Sequence, residues 1–211
     1  MAIGIFGGTF DPVHIGHLRA AEEIRESLGL ERVFFVPAPM PPHKRDKKIA
    51  HIDQRVEMLK LAVRNNPFLR LSELEIKRGG ISYSIDTIET FEKRYGEIYF
   101  ILGLDAFLEV DTWRRYEELF FHAHFVVMLR PTECREWGAE ILPEAIRREV
   151  TRIDDTTLHH ISGKRILFHR VTQLDISSTR IREASLREES IRYLVPDRVE
   201  RFIKERGLYK I

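Results

Sequence analysis

Short apolar runs that alternate with amphipathic segments constrain the fold of this chain more than any other feature of its sequence. Such runs, each four or five residues long, lie at residues 2–6, 33–36, 98–102 and 125–129. Between the first two runs, Leu18, Ala21 and Ile24 recur with the spacing of one helix face. Short buried strands separated by helices are typical of βαβ units, in which neighbouring strands run parallel. The sequence therefore predicts an α/β fold, a Rossmann-like doubly wound parallel sheet with helices on both faces.

The same patterns place the remaining elements. Helices are predicted at residues 17–28, 52–63 and 84–95 and around residues 199–203. Residues 68–76 alternate like a strand, residues 166–168 favour a sixth strand, and Ser84 is placed to cap the third helix. We find no internal repeat or linker, so residues 1–211 are expected to form one domain. The last helices, about residues 178–211, would pack as the C-terminal helical part of that domain.

Composition and charge exclude several classes of protein. The 34 basic and 33 acidic residues leave a net charge of +1, whereas a nucleic-acid-binding protein usually carries a basic surplus. The single cysteine, Cys134, rules out a disulfide scaffold, and no apolar run approaches the ~20 residues that span a bilayer. Because no basic segment precedes the first apolar run, we interpret the N-terminus as a strand instead of a signal peptide. A cytoplasmic location is therefore expected.

The segment after the first strand, residues 7–17, has the composition of an anion-binding turn. Its sequence is Gly-Gly-Thr-Phe-Asp-Pro-Val-His-Ile-Gly-His. Gly7 and Gly8 let the backbone approach a ligand closely, and the helix start that follows adds free N–H groups and a positive dipole end. His14 and His17 are three residues apart and share one face of the first helical turn. There they could hold phosphate oxygens or neutralise developing charge.

Plain alternatives exist for this segment. It contains neither the dinucleotide-binding motif G-x-G-x-x-G nor the G-K-[ST] of a P-loop. A glycine turn with two incidental histidines would have the same local pattern. Zinc binding by the histidine pair is disfavoured because no third ligand stands at a recognisable spacing.

A second donor-rich segment, residues 175–182, follows the predicted sixth strand and reads Asp-Ile-Ser-Ser-Thr-Arg-Ile-Arg. Ser177 can cap a helix, which leaves the N–H groups and hydroxyls of Ser178 and Thr179 facing outward. Arg182 lies four residues after Ser178 and therefore on the same helix face, so the group suits a polyphosphate. The plain alternative is a capped helix with two solvated arginines.

Together the two segments resemble the signatures of the H-x-G-H nucleotidyltransferase superfamily. Residues 7–17 match the first, which closes with the H-x-G-H residues His14-Ile15-Gly16-His17, and Ile-Ser-Ser-Thr-x-x-Arg, ending at Arg182, matches the second. The resemblance implies that ATP lies between two helix starts. It assigns ATP binding to Gly7, Gly8, Thr9, Phe10, His14, His17, Ile176, Ser177, Ser178, Thr179 and Arg182. His14, His17 and Arg182 would be the catalytic residues.

The four residues His14-Ile15-Gly16-His17 also match the signature of class I aminoacyl-tRNA synthetases. Those enzymes are much longer and carry a second, lysine-based signature, K-M-S-K-S, which this sequence lacks. The sequence therefore favours a small nucleotidyltransferase over a synthetase.

Three stretches between the signatures resemble the bacterial nicotinate-nucleotide adenylyltransferases. They are Pro-Pro-His-Lys at 41–44, Ile-Ser-Tyr-Ser-Ile-Asp-Thr at 81–87, and Gly-Leu-Asp-Ala at 103–106 with a tryptophan downstream. The family usually has threonine where this chain has Ser84. The resemblance assigns binding of the pyridine nucleotide to Lys44, Ser82, Tyr83, Ser84, Asp105 and Trp113. Alternatively, Trp113 is a core aromatic, Asp105 a helix cap and Lys44 a solvated charge.

The resemblance implies that the chain transfers the adenylyl group of ATP to nicotinate mononucleotide, in NAD biosynthesis, and releases pyrophosphate. Mg²⁺ is expected as a cofactor held mainly by the phosphates of ATP, with no protein ligand assigned. ATP and nicotinate mononucleotide are the expected partners, without nucleic acid or membrane, and a homo-oligomer is left open. The alternatives are a related acceptor, nicotinamide mononucleotide or phosphopantetheine, and a non-catalytic nucleotide-sensing module.

Overall fold

A single mixed sheet organises the protein. The structure, a computed structural model, describes residues 1–39, 49–129, 139–172 and 174–210. Within that part of the chain the sheet has eight strands in the order β3-β2-β1-β4-β5-β8-β7-β6. The strands are β1 Ile3–Gly8, β2 Arg32–Pro37, β3 Leu69–Leu71, β4 Ile98–Gly103, β5 His124–Leu129, β6 Val150–Asp154, β7 Thr157–His160 and β8 Arg165–Arg170. The four apolar runs are confirmed as β1, β2, β4 and β5.

Helices cover both faces of the sheet, as predicted. They are α1 Ile15–Ser27, α2 Ile52–Val63, α3 Leu74–Arg78, α4 Ser84–Tyr95, α5 Leu104–Leu108, α6 Tyr116–His122, α7 Glu144–Arg147, α8 Ser178–Leu186 and α9 Asp197–Glu205. Neighbouring residues of β2 enter opposite cores: Phe34 packs in the same cluster as Ile88 of α4, and Phe35 in that of Ile24 of α1. Helices α8 and α9 pack on the second face through Ile181 and Ile203.

Strand direction divides the sheet. The six strands from β3 to β8 in spatial order are all parallel, whereas β7 pairs antiparallel with β8 and with β6. The prediction of a parallel sheet is thus confirmed for six strands. It did not include the antiparallel strands β7 and β6 at one edge of the sheet. Only residues 155–156 separate β6 from β7, a turn too short for the crossover that a parallel pair requires. Because β6 is mostly exposed, it also lacks an apolar run in the sequence.

Two local predictions are wrong. Residues 68–76 form only the short strand β3 before α3 begins at Leu74, whose side chain packs against the core. Ser84 is the first residue of α4 instead of its cap; Tyr83 holds the cap position and makes no side-chain hydrogen bond there. Gly79 and Gly80, with φ of 69° and 67°, turn the chain from α3 into α4. The element before α4 is therefore the helix α3, and not the strand predicted to extend to residue 76.

The described helices give no sign of a membrane segment. None of them is long and apolar enough to cross a bilayer.

Candidate active site

A cleft of about 420 Å³ opens where the carboxyl ends of four parallel strands meet. β1 lies between β2 and β4, so the strand order changes direction there, and ligands of α/β sheets bind in such crevices. The cleft is lined by Phe6, His14, Gly16, His17, Ala20, Gly103, Leu104, Asp105, Met128, Leu129, Val171, Thr172, Leu174, Asp175, Ile176, Ser177, Ser178, Thr179 and Arg182. Both sequence signatures therefore face one cavity.

His14 and His17 cap the start of α1 by a reciprocal pair of hydrogen bonds. The backbone N–H of His17 donates to Nδ1 of His14 at 3.4 Å, and the backbone N–H of His14 donates to Nδ1 of His17 at 3.2 Å. The two rings stack with centroids 3.6 Å apart. Because each Nδ1 accepts a hydrogen bond, each neutral ring carries its proton on Nε2. The sequence predicted the shared helix face, and the structure adds the tautomer.

Burial keeps both imidazoles neutral near pH 7. It lowers the pKa of His14 from 6.5 to about 4. The pKa of His17 is held well below its usual range by burial and, to a smaller extent, by His14. The two rings are therefore hydrogen-bond donors in the free protein, not cations. Of the two roles expected from the sequence, holding phosphate oxygens fits this state.

The neutral state of His14 predicts a pH-dependent stability. Between pH 4 and 6.5 the unfolded chain binds a proton that the folded protein does not bind, since the folded pKa is about 4. The contribution of His14 is therefore fully present above pH 6.5 and is lost as the pH falls towards 4. A difference of this size corresponds to at most about 3 kcal/mol in the free energy of unfolding.

Urea unfolding of the wild type and of His14→Gln, from about pH 8 to 4.5, measures this effect. The glutamine amide does not titrate, so the wild type should lose about 2 kcal/mol more than the variant between pH 6.5 and 4.5. The interval from about pH 7 to 8, where the imidazole is neutral in both states, serves as the internal control. Parallel stability curves below pH 6.5 would contradict a buried neutral His14.

Close packing around two glycines orients the histidine rings. The backbone of Phe10 is left-handed, with φ of 49°, and its ring folds back so that a Cβ on Gly8 would lie 2.9 Å from it. The edge of that ring meets His17 at 5.1 Å between centroids. A Cβ on Gly16 would lie 3.1 Å from Nδ1 of His14. A larger residue at Gly16 would displace the ring of His14, and one at Gly8 would displace the ring of Phe10 that borders His17.

The second signature contacts the first directly. Ser177 caps α8 as predicted, accepting from the N–H of Arg180 at 3.2 Å. The hydroxyl of Ser178 donates to the Pro12 carbonyl at 2.9 Å, and Thr179 Oγ1 accepts from Arg182 at 3.2 Å. The two hydroxyls expected to face outward thus have protein partners, while both residues still line the cleft.

The two arginines of this segment differ in environment. Arg182 is 24% exposed, lines the cleft and donates from Nη1 to the Asp11 carbonyl at 2.7 Å. Arg180 is 63% exposed and pairs with Asp175 at 2.6 Å. The structure thus places Arg182 at the cavity and leaves Arg180 on the surface.

Of the residues expected to bind the pyridine nucleotide, Ser82, Tyr83 and Ser84 lie at the start of α4. Tyr83 and Trp113 pack against the same core cluster, where Trp113 meets Phe100 edge-on with ring centroids 6.1 Å apart. Among the described residues the buried Oγ of Ser82 has no hydrogen-bond partner. Asp105, at the start of α5, is exposed and lines the histidine cleft. Lys44 lies outside the described residues.

Sequence reasoning missed part of the cleft wall. Met128, Thr172 and Leu174 line it from the ends of β5 and β8. Glu23 of α1 holds one side of this wall by accepting from the backbone N–H of Thr172 at 2.7 Å. The rule that ligands bind beyond the carboxyl ends of parallel strands could have indicated these positions.

Among the residues that the structure describes, the carboxylates lining the cleft belong to no group with the spacing of metal ligands. In the described ranges, one group has the spacing of metal ligands: Glu89, Glu118 and His122, on α4 and α6, none of which lines the cleft. Asp11, beside the cleft, is 2% exposed, and its Oδ1 accepts from Tyr209 at 2.7 Å and from the N–H of Ala50 at 3.3 Å.

Comparison with known proteins defines first the class and then the family. Residues 5–184 match the family model described as cytidylyltransferase-like. A "Probable nicotinate-nucleotide adenylyltransferase" of Desulfatibacillum aliphaticivorans is 42% identical over 99% of this chain and 100% of the relative. One of the same name from Pelobacter propionicus is 44% identical over 99% and 98%. The chain belongs to the nicotinate-nucleotide adenylyltransferase family within the cytidylyltransferase-like class.

Solved structures agree with this fold. The Plasmodium falciparum nicotinic acid mononucleotide adenylyltransferase complexed with NaAD superposes with a TM-score of 0.74 at 19% identity, covering 99% of this chain and 97% of that chain. A putative nicotinate-nucleotide adenylyltransferase from Vibrio parahaemolyticus gives a TM-score of 0.66 at 16% identity, over 99% and 95%. At this identity the likeness establishes the Rossmann-like fold alone.

Proposed function

We propose that this protein transfers the adenylyl group of ATP to nicotinate mononucleotide, forming nicotinate adenine dinucleotide and pyrophosphate. The observation that carries the proposal is that the two signatures contact each other directly and line one cleft. Ser178 donates to the Pro12 carbonyl at 2.9 Å and Arg182 to the Asp11 carbonyl at 2.7 Å. Two helix starts thereby line the same cavity, and the positive ends of helices favour an anion such as a triphosphate.

The reaction needs alignment and charge stabilisation more than acid–base chemistry. A 5′-phosphate oxygen of the mononucleotide forms a bond to the α-phosphorus of ATP, and the bond from that phosphorus to the β-phosphate oxygen breaks. The nucleophile is already an anion, so no protein base is required. Holding both nucleotides in line can supply up to ~7–11 kcal/mol, and each well-aimed donor ~3–4 kcal/mol more.

The lining of the cleft supports the roles proposed for its residues. The Nε2–H groups of His14 and His17 would donate to the α-phosphate, with the backbone at Gly7, Gly8, Thr9 and Phe10 behind them. The start of α8, from Ile176 to Thr179, and the guanidinium of Arg182 would hold the departing pyrophosphate. Mg²⁺ would neutralise the triphosphate and would be held mainly by its oxygens.

The start of α4 is the proposed site for the pyridine carboxylate. This twelve-residue helix has no side-chain cap, and the buried Ser82 hydroxyl beside it lacks a partner among the described residues. Tyr83, Ser84 and Trp113 would complete the pocket, with Trp113 against the ring. The positive end of a helix favours an anion, which supports the acid over the amide. Lys44 and Asp105 remain proposed contacts of the nucleotide.

Pyrophosphate release from ATP, measured with a panel of acceptors, tests the proposal. Nicotinate mononucleotide should give the highest kcat/KM, and nicotinamide mononucleotide should be poorer by about tenfold or more because it lacks the carboxylate charge. ATP without acceptor is the control and should release little pyrophosphate. Preference for phosphopantetheine or for the amide would overturn the acceptor, and ATP binding without release in any mixture would favour a sensing module.

A further inference from the structure

Tyr209, beyond the last helix, reaches the first signature. Its hydroxyl donates to Oδ1 of Asp11 at 2.7 Å, across 198 positions of sequence. Its backbone is left-handed, with φ of 67°, a conformation that non-glycine residues rarely adopt. Buried Leu208, whose N–H donates to the Ile203 carbonyl at 3.0 Å, anchors the segment next to it. The contact with Asp11 is thus made by a residue held in a definite place.

The residue that Tyr209 contacts is also the one that holds Arg182. The main-chain oxygen of Asp11 accepts from Nη1 of Arg182 at 2.7 Å, while its free carboxylate oxygen, Oδ2, lies 3.8 Å from the same atom. Oδ2 is buried and has no hydrogen-bond partner among the described residues. The arginine is therefore bound to the backbone of Asp11 with the carboxylate only slightly farther away.

A buried arginine fixes the other side of this turn. Arg55 is 2% exposed and donates to the carbonyls of Thr9 at 2.8 Å, Ala38 at 2.9 Å and Pro39 at 2.8 Å. The backbone before Asp11 therefore has little freedom to move. The part of the turn that can respond is the carboxylate, whose described hydrogen-bond donors are the hydroxyl of Tyr209 and the N–H of Ala50.

We propose that Tyr209 is a positioning residue for adenylyl transfer, a proposal that rests on the proposed function. By donating to Oδ1 of Asp11, its hydroxyl satisfies one oxygen of the buried carboxylate and leaves Arg182 bound to the backbone, with its guanidinium at the cleft. Without that donor the carboxylate must find another partner, because an unsatisfied buried anion is costly. The guanidinium of Arg182 is close enough to supply it and would be drawn away from the pyrophosphate side of the cleft.

Tyr209→Phe removes the hydroxyl and keeps the ring. We expect kcat to fall about tenfold, with the KM of the pyridine mononucleotide unchanged, because only a contact to the leaving group is weakened. The matched control is Tyr193→Phe: Tyr193 also has a left-handed backbone, with φ of 65°, but is 80% exposed, so its kinetics should stay at the wild-type level. Equal kcat for Tyr209→Phe and the wild type would overturn the proposal.

Coupling to Arg182 separates positioning from a general loss of structure. In an Arg182→Ala background no guanidinium remains to be displaced, so adding Tyr209→Phe should change kcat by less than about twofold. A full tenfold effect in that background would show that Tyr209 acts independently of Arg182 and would overturn the proposal.

Binding of inorganic pyrophosphate with Mg²⁺, measured by calorimetry, gives a readout that does not require turnover. Tyr209→Phe should weaken this binding about tenfold relative to the wild type and to Tyr193→Phe. Unchanged pyrophosphate affinity would contradict the inference even if the wild type transferred no adenylyl group. Absence of turnover in the wild type would instead contradict the proposed function.

Discussion

His17→Ala is expected to lower kcat for adenylyl transfer by about two to three orders of magnitude while the protein remains folded. The imidazole is a neutral donor, stacked on His14 at 3.6 Å between ring centroids and bordered by the ring of Phe10 at 5.1 Å. Its fixed Nε2–H would stabilise charge on the α-phosphate without reorganising during the reaction. Pyrophosphate release at saturating substrates, with a thermal unfolding curve for each protein, measures the effect.

Two variants bracket this result. His17→Gln places an amide N–H near the position of Nε2 and should recover part of the lost rate. His159→Ala removes an exposed imidazole of β7, remote from the residues that line the cleft, and should keep wild-type kinetics. A His17→Ala enzyme that works within about threefold of the wild type would remove His17 from the mechanism.

Arg182→Ala is expected to lower kcat/KM for ATP by about two to three orders of magnitude. The guanidinium lines the cleft and is held against the first signature by its bond to the Asp11 carbonyl. A charged, bidentate donor there would stabilise the negative charge that accumulates on pyrophosphate as it leaves. Arg182→Lys keeps the charge but loses the fork of donors, so an intermediate rate is expected.

The adjacent arginine provides the matched control for this prediction. Arg180 carries the same charge two residues away but is 63% exposed and paired with Asp175. Arg180→Ala should change kcat/KM by less than about threefold, because exposed charges are screened by solvent. Equal losses in the two variants would show that the segment acts through its overall charge and not through a specific contact of Arg182.

The sequence predicted the central strands because their signal is local. Residues buried on both faces must be apolar along the whole strand, as in the six-residue strand β4, and such runs are visible without a structure. The β6–β7 hairpin has no such signal, since β6 is mostly exposed, and α3 is a five-residue helix too short to show a period. The cap by Ser177 was predictable for the same reason as the strands, because a cap involves only four consecutive residues.

The parts of the candidate site were readable in the sequence, but their common location was inferred from family resemblance. Asp11 and Arg182 are 171 positions apart, and no pattern in either segment indicates that one holds the other. Ser84 and Trp113 illustrate the reverse case: the resemblance assigned them a ligand, and neither is among the residues that line the histidine cleft. Ser84 begins α4, and Trp113 packs against Phe100.

The sequence by itself thus determined the parallel core, the two helix starts that can bind anions and the residue types at each of them. These properties depend on hydrophobic periodicity and on hydrogen bonds within one turn of chain. Only the tertiary structure decided the neutral state of the histidine pair, since burial of His14 and His17 arises from packing of the surrounding chain. The tertiary structure alone also brings Tyr209, which follows α9, to Asp11 across 198 positions. This contact depends on how α9 packs against the rest of the protein and not on the sequence around Tyr209.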